Sequence, residues 1–105
     1  MTTPPQSVYR KPVLLDRARH RHLRLRTGQG FGFAAGLNAM YITGAEFGQA
    51  CKEYPLVFVR KPEGGVEPAA MLGLREGENL FVDAQGRWGG RYVPAFVRRY
   101  PFVLA

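Results

Sequence analysis

The sequence predicts an α+β fold: a mostly antiparallel sheet with a short helix near 44–54 and a second near 94–100. Three observations predict it. A capping box at Thr43 opens an amphipathic stripe. Short β-branched and aromatic runs alternate with turns of a few residues. Pro94 and Pro101 bracket an apolar helical face. The 105 residues fit one domain or part of one, and a hydrophobic content of 46% is enough to build a core.

Residues 1–11 are polar, carry Pro4 and Pro5, and read as a flexible N-terminal arm. Asp16 is placed to cap a turn of helix at about 16–20. The alternation His22-Leu23-Arg24-Leu25-Arg26 predicts a strand at 22–26, with Leu23 and Leu25 facing inward. Residues 27–32 form a glycine-rich turn, and 33–42 read as one or two short strands with a bend. Thr43 is followed three residues later by Glu46, and Phe47, Ala50, Cys51 and Tyr54 then share one helical stripe. Pro55 stops that helix.

Residues 56–59, β-branched and aromatic, predict a buried strand. Strands at 68–74 and 80–82 follow, joined by turns at 61–65 and 76–79, which makes an antiparallel meander. Pro94 suits the first turn of a helix whose Phe96, Val97 and Tyr100 share a face. The last residues, 102–105, read as an apolar strand. Burying Phe102, Val103 and Leu104 would be worth roughly 1.5–3 kcal/mol each, so this strand is expected to find a partner.

The net charge of +7 is uneven. Residues 1–26 hold seven Arg or Lys and one Asp, a net of +6, whereas 27–105 hold eight and seven, a net of +1. The basicity thus belongs to one segment, 10–26. No signal-peptide pattern opens the chain, and no apolar run approaches the ~18 residues of a membrane span. One cysteine, Cys51, allows no internal disulfide, and the expectation is a cytoplasmic protein.

Four features could carry chemistry. His20 and His22 share one strand face, a spacing used by metals, but no third histidine exists and arginines flank both, so no metal is expected. Cys51 lies on the apolar stripe and reads as a small buried residue, not a nucleophile. Gly28, Gly30 and Gly32 could cradle a phosphate, but the Lys-Ser/Thr of a P-loop is missing, and a flexible turn is the better reading. Arg17, Arg19, Arg21, Arg24 and Arg26 could contact an anion or nucleic acid; only Tyr9 accompanies them as an aromatic, which favours a solvated basic face. The aromatics Trp88, Tyr92, Phe96 and Tyr100 are read as core or as contacts to a further part of the protein.

Three stretches are familiar in order and spacing. They are Phe33-Ala34-Ala35-Gly36-Leu37-Asn38-Ala39 leading to Tyr54-Pro55-Leu56-Val57-Phe58, then residues 72–83, then 92–102 from Tyr92-Val93-Pro94 to Tyr100-Pro101-Phe102. Together they resemble the SapC family of bacterial proteins over most of 12–105. Members of that family are longer, so the resemblance implies that 12–105 is the N-terminal portion of a SapC-like domain. It implies an accessory or interaction protein of bacterial surface-layer or outer-membrane systems. It brings no cofactor and no catalytic residue with it.

Two other functions remain open at this point. One is an enzyme or small-ligand-binding protein whose pocket is completed elsewhere, with Glu46, Tyr54, Arg75, Asn79 and Asp83 as its polar candidates. The other is nucleic-acid binding through 10–26. The expected partner is a protein, or a second copy meeting the apolar C-terminal strand.

Overall fold

A computed structural model describes residues 8–104. Three strands form one antiparallel sheet: β1 (Ala39–Tyr41), β2 (Leu56–Arg60) and β3 (Val66–Met71). The order is β1-β3-β2, with Met40 opposite Ala70, and Leu56 and Phe58 opposite Ala70 and Pro68. Two single-turn helices accompany it, α1 (Phe47–Ala50) and α2 (Ala95–Arg98). The α+β class is therefore what the sequence predicts.

The β2–β3 hairpin turns on Gly64 and Gly65, whose φ angles of 103° and 80° lie where side chains are strained. The Lys61 and Gly65 backbones close that turn at 3.0 Å. Pro68 sits in the central strand, where proline is normally excluded. Its carbonyl accepts the Ile42 N–H just beyond the end of β1. Its nitrogen faces the same side, so the pairing to β2 loses no donor.

The meander takes a different course from the one expected. Its third strand is β1, which precedes the hairpin, and not 80–82. That later segment makes one isolated bridge, Val82 to Trp88, across the Asp83–Arg87 turn. The strand expected at 22–26 is also not formed, and Leu23 and Leu25 are 69% and 56% exposed. Alternation sets which face a residue takes, but a strand also needs a neighbour to pair with, and among the described residues no strand pairs with this segment. Residues 102–104 likewise lie outside any strand. The Asp16 turn does form: its Oδ1 accepts the Ala18 and Arg19 N–H groups at 2.8 and 3.0 Å.

The helix expected at 44–54 is divided. A 3-10 turn (Gly44–Glu46) leads into α1, and tight turns carry the chain to Tyr54. Gly44 and Gly48 weaken a continuous helix. Of the expected stripe, Ala50 and Tyr54 are buried and Phe47 packs at the core margin, whereas Cys51 faces solvent and Glu46 is buried in its stead. The core that α1 covers is built from Leu37, Met40, Ile42, Ala70, Leu72 and Val97, with Phe31, Phe47 and Phe96 packed at its margin. No helix among the described residues is long and apolar enough to cross a membrane.

Candidate functional site

Two carboxylates from the helical segment hold the 91–95 chain. Glu46 Oε2 accepts the Thr43 N–H at 2.8 Å and the Thr43 hydroxyl at 3.1 Å. Its Oε1 accepts the Tyr92 hydroxyl at 2.6 Å and the Ala95 N–H at 2.8 Å. One residue thus serves the capping box of the first helical segment and the first amide of α2. Seven positions on, Glu53 accepts the Arg91 and Tyr92 N–H groups, each at 2.7 Å.

Tyr54 completes this clasp. Its hydroxyl donates to the Tyr92 carbonyl and accepts the Trp88 Nε1–H, the latter at 2.9 Å. Arg98 lies over the Tyr92 ring and donates to the Val93 carbonyl at 2.7 Å. Burial alone would push the Glu46 carboxyl up, but the Ala95 and Thr43 N–H groups and the Tyr92 hydroxyl together hold it below the usual range. Two backbone N–H groups lower Glu53. Burial raises the Tyr54 and Tyr92 hydroxyls. Glu46 accepts two hydrogen bonds at each oxygen and Glu53 one at each, so both carboxylates fasten the 91–95 chain.

The other polar candidates lie apart from it. Asn79 is buried, donating to the Ala34 carbonyl at 3.0 Å and accepting the Phe81 N–H at 2.8 Å, so both ends of its amide brace loops. Asp83 organises its own turn, accepting the Gln85 and Arg87 N–H groups and pairing with the Arg87 guanidinium at 2.8 Å. Arg75 stands in an exposed turn. Glu46 and Tyr54 are brought together through Tyr92; Arg75, Asn79 and Asp83 are not.

Besides a cleft of about 390 Å³ at the clasp, lined by Glu53, Arg91 and Tyr92, three others among the described residues bear on the candidates. One, of about 530 Å³, lies between Tyr41, Glu67, Phe96 and Arg99, with Glu46 at its edge. A second, of about 580 Å³, is lined by Val13, Leu14 and Leu15 from one end of the chain and Tyr100, Phe102 and Val103 from the other. The third, larger than these two at about 1210 Å³, gathers Arg24, Arg26, Arg87 and Arg98 beside Phe31 and Trp88. None of the three holds more than one of the five polar candidates.

Arg17, Arg19, Arg21, Arg24 and Arg26 are all exposed, and their guanidiniums make no ion pair among the described residues. The His20 ring accepts the Asp16 N–H through Nδ1. No group of three possible metal ligands occurs among the described residues. Sequence reasoning missed Glu53, Arg87 and Arg98. The seven-residue spacing of Glu46 and Glu53 was a signal, since it puts both acids on one helical side.

The geometry defines a small α+β module whose 91–95 segment is pinned to the 43–54 helical segment by two carboxylates. The SapC family description matches residues 15–105, and the chain belongs to the SapC family. No curated protein and no solved structure matches it.

Proposed function

We propose that the chain acts as a SapC-type accessory protein that works by protein–protein contact, in bacterial surface-layer or outer-membrane systems. The observation that carries this reading is the apolar cleft where 12–15 meets 100–103. Leu14 and Leu15 there are 78% and 72% exposed. Apolar side chains from two distant parts of the sequence share one open surface, which is the character of a contact face. Phe102 and Val103 add to this surface, at 48% and 44% exposure. A single thiol that faces solvent suits a reducing compartment, and we place the protein in the cytoplasm.

The simplest form of this contact is a second copy. Sedimentation of the purified chain tests it, with an expected self-association constant of roughly 10–100 μM. Leu14→Glu combined with Phe102→Glu should leave a monomer with an unchanged circular dichroism spectrum. A wild-type chain that stays monomeric at about 1 mM, where a contact of even ~4 kcal/mol would show, rules self-association out.

A further inference from the structure

The cleft of about 1210 Å³ joins two features that the sequence presents separately, the glycine-rich turn and the basic segment. Gly28 and Gly30 line it from one side and Gly86 from the other. The two turns are fastened together: the Phe31 N–H donates to the Gly86 carbonyl at 2.7 Å, and a Cβ on Gly30 would meet that same oxygen at 3.0 Å. The end of the glycine-rich turn, at Gly30 and Phe31, is therefore fastened to the Gly86 turn.

Arg24, Arg26, Arg87 and Arg98 line this cleft, and no acidic residue does. The Arg87 guanidinium is engaged by Asp83, and that of Arg98 by the Val93 carbonyl and the Tyr92 hydroxyl. Arg24 and Arg26 make no hydrogen bond or ion pair among the described residues and are exposed. Flat apolar surface stands beside this charge. Phe31 meets Trp88 edge to face at 5.7 Å, Trp88 stacks on Phe81 at 6.0 Å, and both Phe31 and Trp88 are half-buried. Guanidinium groups recognise phosphate oxygens through paired N–H donors. Half-exposed rings offer a face to a planar ligand.

From this arrangement we infer that the cleft binds a mononucleotide-like ligand: a phosphate held by Arg24, Arg26 and the glycine turn, with a planar ring against Phe31 and Trp88. Its volume, about 1210 Å³, is ample for such a molecule. A nucleic-acid strand is the less favoured occupant. It requires a charged track along its backbone, and Arg17, Arg19 and Arg21 lie outside the cleft lining.

Trp88 is the only tryptophan in the sequence and stands in the cleft wall, so its fluorescence reports on occupancy directly. Titration of the full chain with ADP in about 150 mM salt should quench it saturably, with a dissociation constant below ~1 mM. Adenosine alone and pyrophosphate alone should each bind at least ~10-fold more weakly. Arg24→Gln with Arg26→Gln should weaken ADP by ~10-fold or more, whereas Arg17→Gln with Arg19→Gln should leave it unchanged. All four positions are exposed, so circular dichroism should not change in either variant. Absence of saturable quenching by ADP overturns the inference, as does equal loss in the two double variants, which would indicate diffuse charge. A single-stranded oligo-dT that binds over ~100-fold more tightly than ADP, with a log–log salt slope near −4, also overturns it and assigns the cleft to nucleic acid.

Discussion

Glu46 accepts four hydrogen bonds, two at each carboxylate oxygen, from donors that belong to Thr43, Tyr92 and Ala95. Substitution by Gln puts an amide NH2 where one oxygen stood, so at that end a backbone N–H faces a donor, and only the hydroxyl beside it can turn to accept. Glu46→Gln should therefore lose about 2 kcal/mol at neutral pH, read as a lower urea midpoint. The pH dependence has a definite sign. The Glu46 carboxyl is held below its ordinary 4.5 in the folded chain, so between the two values the unfolded chain binds more protons. The stabilisation is complete above about pH 4.5 and is lost as pH falls through the folded value. Glu53, also lowered, acts in the same direction. Urea midpoints measured from pH 7 to pH 3 should fall on acidification in the wild type and fall less in Glu46→Gln; parallel curves would contradict the role given to this carboxylate. The capping box was legible at this scale because it is local, three residues apart. The second pair of bonds, to Tyr92 and Ala95, was not, since it spans 46 and 49 positions of sequence. No local pattern encodes a reach of that length.

Among the elements, β2 and the helical turn at Thr43 were legible because each carries its own period and its own stop. The strand expected at 22–26 has the same kind of signal, yet its Leu23 and Leu25 lie in solvent. The difference is the partner: β2 has β3 five residues away across a glycine turn, and 22–26 pairs with no strand among the described residues. Cys51 was misplaced for a related reason. The chain enters α1 through a 3-10 turn, and Glu46 is buried with Ala50 and Tyr54 while Cys51 faces solvent. The end of β3 supplies the sharpest test at this scale. Gly73 donates to the Asn38 carbonyl at 3.0 Å, and the chain folds back over it, so that a Cβ there would collide with the Glu78 carbonyl oxygen. That oxygen is backbone and cannot turn aside. Gly73→Ala should displace the 74–79 loop, separate Asn79 from Ala34, and cost roughly 2–3 kcal/mol. A melting temperature within a degree of the wild type would show that the loop yields without cost.

At the scale of the whole molecule, the two ends of the described chain meet on one column of rings. Tyr100 stacks on Phe33 at 3.8 Å and on Tyr9 at 5.6 Å, and the Tyr9 hydroxyl donates to the Phe102 carbonyl at 2.8 Å. Phe33 packs against the core, so the column fastens both ends to it. Between these anchors the chain is loosely held: every residue from 10 to 30 is exposed except His20, which is half-buried. The radius of gyration, 14.9 Å, exceeds the ~13 Å of a compact domain this long, as an outlying segment requires. Tyr100 is thus expected to control how both ends behave. Chymotrypsin must draw the Tyr9 ring into its own pocket before cutting after it, and a ring held in the column is not available. Tyr100→Ala removes the middle of the column, so cleavage after Tyr9 should quicken by about tenfold, in proportion to the larger open population. Tyr100→Phe keeps the ring and should be cut at the wild-type rate. The rest of the core touches Tyr100 only at its margin, so the melting temperature of Tyr100→Ala should fall by a few degrees at most, about 1 kcal/mol in a domain of this size. Equal cleavage rates in the wild type and Tyr100→Ala would show that the ends are held by something other than this column.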